Sequence, residues 1–231
     1  MFYGDPTQFG KPRKMDLLLS RQMIYDNSYE WITTQGWSFL PLDNYAGGST
    51  EAKFRPLETN SADYDLAWAQ YMGMGVAGVC WRGPSIFEGP KSKAIVQNWI
   101  RFYNHYRETL TSEMLIHIRR PDGQSIDAIL HANPRPGAQE QGILFAFNPT
   151  DRPITTNITV PLYYTGLVDT AVLSLGDVAK EVVDEAGGLG MAATVPVMGE
   201  TYTLRRDYSV VVEMSIPASG YSWWVVHAPS D

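Results

Sequence analysis

The sequence predicts a chain of two parts, an α/β region followed by an all-β region. Up to about residue 112, short apolar runs alternate with long amphipathic segments, which is the pattern of βα units around a parallel sheet. From Met114 onwards, short runs with alternating apolar residues follow one another, separated by Pro, Gly, Asn and Asp. Short strands without intervening helices are typical of an antiparallel β-sandwich. We therefore expect an α/β domain over residues 1–112 and a β-sandwich over residues 113–231.

The composition is that of a folded globular protein, and it argues against several classes of partner. The 231 residues can bury a full core, and 44% of them are hydrophobic against 19% charged. A net charge of −7 without any run of lysine or arginine argues against nucleic acid or an anionic membrane as a partner. No apolar run approaches the roughly 18 residues of a membrane span. The first thirty residues lack the order of a secretion signal, and the compartment stays undetermined.

Cysteine and histidine usage predicts no disulfide, metal site or cofactor. The single cysteine, Cys80, lies inside an apolar run, where a buried thiol is expected. The four histidines are scattered without the spacing of metal ligands. The glycines of Gly73-Met74-Gly75 precede a predicted strand, whereas a dinucleotide-binding fingerprint has to precede a helix.

In the first region, the elements follow from local patterns. The run Val76–Trp81 is apolar and bounded by glycines, as in a strand buried on both faces. The helix before it carries an apolar stripe at helical spacing and begins at Asn60 or Ser61, residue types that cap helices. A long loop over residues 46–60 is of a length that is usually functional or disordered. The other predicted elements are a strand end at Met1–Gly4, a helix at Lys14–Asp26, a strand at Trp37–Leu42 and a helix at about Lys91–Leu110.

Polar residues at the end of the Val76–Trp81 strand mark a candidate site. In α/β folds, ligands bind beyond the carboxyl ends of the parallel strands. Trp81 and Arg82 stand at this end, and the planar guanidinium of Arg82 suits the recognition of hydroxyl or carboxylate groups. The alternative is a turn in which the tryptophan packs and the arginine is solvated. Glu88, close to Pro90, is interpreted as a surface residue near the following helix.

In the second region, strands are predicted from period-two alternation between turn residues. Val210, Val212, Met214 and Ile216 share one face of their run, as expected for a strand with one buried side. The predicted strands are Leu115–Ile118, Ser125–His131, Ile143–Phe147, Thr155–Leu162, Val168–Leu173, Thr201–Arg205, Tyr208–Ile216 and Tyr221–His227.

Two stretches near the start of the second region carry a family resemblance. They are Ile116-His117-Ile118-Arg119-Arg120-Pro121-Asp122-Gly123 and Ile143-Leu144-Phe145-Ala146-Phe147-Asn148-Pro149-Thr150-Asp151. Following a long amphipathic helix, they resemble the end of retaining glycoside hydrolases of the α-galactosidase type, which have a (β/α)8 barrel and a C-terminal β-sandwich. The resemblance implies that residues 1–112 are the last two to three βα units of a TIM barrel. Because so few units cannot close a barrel, it further implies a C-terminal fragment of a longer protein.

The resemblance also assigns candidate roles at the strand ends. Retaining glycosidases need two carboxyl groups about 5–5.5 Å apart, and in the family the proton donor follows strand six and the nucleophile follows strand four. Asp5 corresponds to the proton donor, although a turn role beside Pro6 is an alternative. The nucleophile has no counterpart in this chain. Asp43 would hold sugar hydroxyls or cap its loop, and Tyr45 would offer a stacking face.

The expected function is therefore that of a glycoside hydrolase fragment, inactive alone, with carbohydrate as its partner. The strands left without neighbours by the missing barrel units are expected to promote self-association. A non-catalytic carbohydrate-binding protein or a purely structural β-sandwich protein is the alternative, since the fold does not choose among these functions.

Overall fold

The first region of the computed structural model contains a three-stranded parallel sheet. The structure describes residues 2–4, 13–30, 37–43, 53–76, 78–82, 84–112, 114–176 and 199–229. The sheet has the order β1-β2-β3, with both neighbouring pairs parallel. Its strands are β1 (Phe2–Gly4), β2 (Trp37–Pro41) and β3 (Gly78–Arg82).

A helix follows each of these strands, as the alternation in the sequence predicts. The helices are α1 (Arg13–Asn27), α2 (Ser61–Gly73) and α3 (Pro90–Leu110). Asn60 occupies the N-cap position of α2, one of the two predicted positions, but its side chain makes no cap hydrogen bond. Its amide instead donates to the Phe54 carbonyl and accepts from Arg13, so Asn60 fixes the preceding loop against α1.

The second region forms two antiparallel sheets, and its strands lie within a few residues of the predicted ones. One sheet has six strands in the order β4-β5-β6-β11-β8-β9, and the other pairs β7 with β10. The strands are β4 (Met114–Arg119), β5 (Asp127–Ala132), β6 (Gly142–Phe147), β7 (Ile154–Pro161), β8 (Thr170–Leu175), β9 (Glu200–Thr203), β10 (Ser209–Ile216) and β11 (Tyr221–His227).

The six-stranded sheet is covered on both faces, so the second region has two cores. Leu144 and Ala146 of β6 pack with β7 and β10 in one cluster, whereas Phe145 and Phe147 belong to a second cluster with the helices. Every residue of β5 and β6 is consequently buried. Coverage of both faces explains why β6 is a continuous apolar run, while β10 alternates.

The second cluster joins the two regions into one body. The ring of Phe145 contacts Trp99 and Phe102 of α3, with ring centroids 6.3 and 5.6 Å apart. Phe102 also meets Trp223 of β11 edge-on at 4.9 Å. The helices of the first region therefore form a third layer against the six-stranded sheet, and the domain boundary near residue 112 stays a prediction.

Candidate functional site

The carboxyl ends of β2 and β3 lie level at one edge of the parallel sheet. Leu40 pairs with Trp81, and Pro41 pairs with Arg82. Asp43 follows two residues beyond Pro41, so it lies at the edge where β3 also ends. The parallel register therefore brings the backbone of Trp81 and Arg82 to the same edge as Asp43.

Not every predicted site residue is described. Asp5 and Tyr45 lie outside the described residues, and so do the side chains of Trp81 and Arg82. The structure therefore tests none of the predicted functional roles. It gives side-chain contacts for Asp43 alone among the five residues.

Arg55 organises this edge, because its guanidinium contacts the loops that follow both strands. Its Nε lies 3.1 Å from Oδ1 of Asp43, beyond β2. Its Nη2 donates to the Ser85 carbonyl at 2.6 Å, and its Nη1 pairs with Glu88. Its backbone N–H also donates to the Leu42 carbonyl at 3.1 Å. One arginine therefore holds the two strand-end loops together.

Glu88 completes this network and is more than the surface residue that the sequence suggests. One carboxylate oxygen pairs with Arg55, and the other accepts a hydrogen bond from the backbone N–H of Leu57 at 2.6 Å. The Glu88 carboxylate thus fastens the loop before α2 to the loop before α3. We call Asp43, Arg55 and Glu88 the edge cluster.

The edge cluster combines a fixed geometry with an accessible carboxylate. The side chain of Arg55 is only 16% exposed, while that of Asp43 is 40% exposed. The partly buried Arg55 guanidinium, bonded to Ser85 and Glu88, holds a positive charge 3.1 Å from the Asp43 carboxylate, which can still accept hydrogen bonds from a ligand. With one cation and two anions, the cluster favours ligands with hydroxyl donors over anionic ones. In the described part of the chain, no group of His, Cys, Asp and Glu has the arrangement of a metal site.

The sequence did not predict Arg55 as a site residue. The available signal was a cationic residue in a long loop that lies between two strand ends carrying acidic residues. That signal was insufficient, because Arg55 and Glu88 are 33 residues apart and their contact depends on how the loops fold.

A second polar location lies between the helices and the second region. A cavity of about 800 Å³ is lined by the start of α2 and α3 and by residues at the ends of β8 and β11. Asp65 lies in its wall and accepts hydrogen bonds from Nε1 of Trp99 at 2.8 Å and from the Tyr221 hydroxyl at 2.7 Å. Burial raises the pKa of Asp65 above its usual value, and the two hydrogen bonds offset this only in part. Because each carboxylate oxygen has a partner, Asp65 braces α2 against α3 and β11.

Comparisons with known proteins find similarity in structure but not in sequence. No protein-family model matches the chain, and no curated protein is similar enough in sequence to count as a match. Among solved structures, an α-amylase from Geobacillus thermoleovorans, complexed with acarbose, aligns with a TM-score of 0.54 at 9% identity. A GH27 β-L-arabinopyranosidase from Geobacillus stearothermophilus aligns with a TM-score of 0.52 at 9% identity. The α-galactosidase I of Mortierella vinacea aligns with a TM-score of 0.48 at 12% identity.

The alignments cover almost all of this chain but less than half of each neighbour. The α-amylase alignment covers 97% of this chain and 46% of the enzyme, and the arabinopyranosidase alignment covers 94% and 42%. For the α-galactosidase the shares are 93% and 46%. The likenesses to the α-amylase and the arabinopyranosidase establish a glycoside-hydrolase-like fold. No helix in the described ranges has both the length and the apolar character needed to cross a membrane.

Proposed function

We propose that this chain is the C-terminal part of a glycoside hydrolase of the α-galactosidase type, acting on glycosidic bonds and inactive by itself. The observation that carries the proposal is the edge cluster, a fixed set of charged side chains at the carboxyl edge of a parallel sheet. Three parallel strands with their helices, followed by a β-sandwich, agree with the last units of a barrel and a C-terminal domain. Structural neighbours that align over nearly the whole of this chain but under half of their own length support the same proposal.

In this proposal, the strand-end residues divide the work of recognising and cleaving a glycoside. Asp5, immediately after β1, donates a proton to the leaving oxygen. Asp43 accepts hydrogen bonds from sugar hydroxyls, and Arg55 is a positioning residue that holds the Asp43 carboxylate. Trp81 and Arg82 take part in sugar recognition at the end of β3.

Tyr45 presents its ring to the apolar face of a pyranose. The nucleophile belongs to a part of the barrel that this chain does not supply. Without the second carboxylate, a retaining mechanism cannot form its covalent intermediate, and this is why the chain alone is inactive.

The test measures turnover and binding separately. The chain is incubated with nitrophenyl α- and β-glycosides, and we expect no release of nitrophenol. In parallel, binding of methyl α-D-galactopyranoside is followed by NMR titration, and we expect Asp43→Asn to weaken it about tenfold, since a hydrogen bond to a charged group is lost. Asp26→Asn is the matched control, because Asp26 also pairs with an arginine, Arg120, but far from the sheet edge.

Two results would contradict the proposal. Nitrophenol release by the purified chain would refute the claim that it lacks part of its catalytic machinery. If the Asp43 and Asp26 substitutions affected galactoside binding equally, the sheet edge would be excluded as the sugar-binding site. The melting temperature of both variants is measured alongside, and each is expected to change little because exposed ion pairs contribute under about 1 kcal/mol.

A further inference from the structure

A groove on the second region gathers exposed aromatic side chains. It holds about 350 Å³ and is lined by Met114, Pro134, Tyr163, Tyr164, Gly166, Leu167, Val168 and Tyr208. We call it the tyrosine groove. Half of the large hydrophobic side chains that are exposed in the described residues lie here: Met114, Tyr163, Tyr164, Val168 and Tyr208. Such a concentration of exposed apolar surface marks a binding surface rather than ordinary scatter.

The rings of the tyrosine groove are arranged at steep angles to one another. Tyr163 meets Tyr164 edge-on with centroids 5.2 Å apart, and it meets Tyr208 edge-on at 5.4 Å. Rings oriented in this way present both faces and edges to the groove. In the described part of the chain, none of the three phenol hydroxyls makes a hydrogen bond, so each is available to a ligand.

The backbone holds Tyr208 in a conformation that is unfavourable for such a residue. Its φ angle is 58°, in the left-handed region that bulky side chains rarely adopt. Its N–H donates to the Arg205 carbonyl at 2.9 Å, and its carbonyl accepts from Leu162 at 2.8 Å. The strained residue is thus fixed from both sides, and its ring completes the groove. Strain of this kind is concentrated at functional sites.

The chemistry of the tyrosine groove points to a neutral ligand. None of the described residues that line it is charged. Two charged residues close to the groove in sequence have partners of their own, since Arg135 pairs with Glu108 and the Asp207 carboxylate accepts from Ser209. A ligand that matches aromatic faces and phenol hydroxyls together has an apolar C–H face and a rim of neutral hydroxyls. These are the properties of a pyranose ring.

We propose that the tyrosine groove is a second carbohydrate-binding site, separate from the sheet edge, that takes a short neutral oligosaccharide. The choice of a carbohydrate rests in part on the proposed function, whereas the location of the site does not. Among the described residues that line the groove none carries a carboxylate, so it binds sugar without cleaving it.

The experiment titrates the full chain with maltotriose and with methyl α-D-galactopyranoside, followed by calorimetry and NMR. All variants are made in the Asp43→Asn background, so that binding at the sheet edge is already weakened. Tyr163→Ala is expected to lower the remaining affinity at least about tenfold, as for a central aromatic contact. Tyr163→Phe keeps the ring and is expected to lose about two- to threefold. Tyr29→Ala is the matched control, because Tyr29 is 67% exposed against 61% for Tyr163 and lies beyond the end of α1.

The outcomes separate this proposal from the previous one. A loss with Tyr163→Ala and none with Tyr29→Ala supports the tyrosine groove, even where Asp43→Asn itself has no effect and the sheet-edge proposal fails. Equal affinity for Tyr163→Ala and its parent overturns the groove, as does binding of neither sugar. A dimer that Tyr163→Ala converts to a monomer, measured by light scattering, overturns it in favour of contact between two copies of the chain. Unchanged melting temperatures establish that each variant is folded.

Discussion

The parallel sheet and the six-stranded antiparallel sheet differ in the exposure of the charged groups beside them. At the edge of the parallel sheet, Asp43 and Glu88 are partly exposed and meet in an accessible ion-pair cluster. Between the helices and the six-stranded sheet, charged groups are fully buried. Arg21 of α1 forms two hydrogen bonds of 2.8 Å with Asp127 of β5, and both side chains are 3% exposed. The exposed cluster is suited to a ligand, whereas the buried pair holds the two regions together.

The difference also shows that the two regions depend on each other. The helices of the first region cover the face of the six-stranded sheet that carries Phe145 and Trp223. Hydrogen bonds also connect the two regions. Nε2 of His131 lies 2.9 Å from the Gly73 carbonyl oxygen. Thr109 of α3 likewise donates to Glu140, and it accepts from Asn133. The two regions therefore share one hydrophobic core.

The largest expected effect comes from breaking the buried pair. Asp127→Ala leaves the Arg21 guanidinium buried without its carboxylate and is expected to lower the free energy of unfolding by about 3–5 kcal/mol. Urea denaturation measures this change. Asp26→Ala is the matched control, because Asp26 and Arg120 form the same two-bond geometry at about half exposure. Its loss should stay under about 1 kcal/mol.

A second variant refines this comparison. Arg21→Met combined with Asp127→Leu should recover most of the lost stability, because two apolar side chains can replace a buried ion pair. Equal losses for Asp127→Ala and Asp26→Ala would contradict the distinction between a buried link and an exposed cluster.

The next effect tests the close packing of α2 on the six-stranded sheet. A Cβ atom added at Gly73 would lie 2.5 Å from the Phe145 ring. Gly73→Ala is therefore expected to destabilise the protein by about 1–3 kcal/mol through overpacking, even though alanine is the better helix former. Thermal denaturation is measured for Gly73→Ala, for Phe145→Leu and for the double variant. The three losses of stability together give the interaction free energy between the two positions. A double variant that loses the full sum of the single losses would argue against this contact.

The smallest effect is a pH dependence that originates at the same boundary. Burial lowers the pKa of His131 from 6.5 to about 4. Because the folded pKa lies below the unfolded one, the unfolded state binds more protons and stability falls as the pH falls. Between pH 7.5 and 5.5, this histidine should account for a loss of about 1 kcal/mol. His131→Gln keeps a hydrogen-bond donor for the Gly73 carbonyl, and its stability should fall less over this interval in urea denaturation. Parallel pH profiles of the two proteins would exclude His131 as the cause.

Most elements could be predicted from sequence because their signals are local. The α2 stripe and the alternation of β10 repeat within a few residues, and each prediction lies close to the observed element. The pairing of β7 with β10 in a separate sheet was not predictable, since the paired residues are 48 to 62 positions apart. That the helices share one core with the second region could not be predicted either, because an apolar residue does not specify which element covers it.

The candidate site was predictable only in part. The rule that ligands bind beyond parallel strand ends predicted Trp81 and Arg82, and the family resemblance added Asp43. Their roles stay predictions, whereas the register does align the ends of both strands. Arg55 was not identified, and the interpretation of Glu88 was incomplete. Their roles depend on contacts between loops, and no periodic pattern records such contacts.

By itself, the sequence determined the alternation of strands and helices, the change to short strands beyond α3, and the polar residues at strand ends. These features follow from side-chain periodicity and turn chemistry, which act over a few residues. Only the tertiary structure decided which charges are paired and which faces are covered. Arg21 and Asp127 are separated by 106 residues, and each could be buried only because the fold brought the other within hydrogen-bond distance. Burial of a charge costs free energy without such a partner. The tertiary structure that buries each of these charges therefore also has to supply its partner.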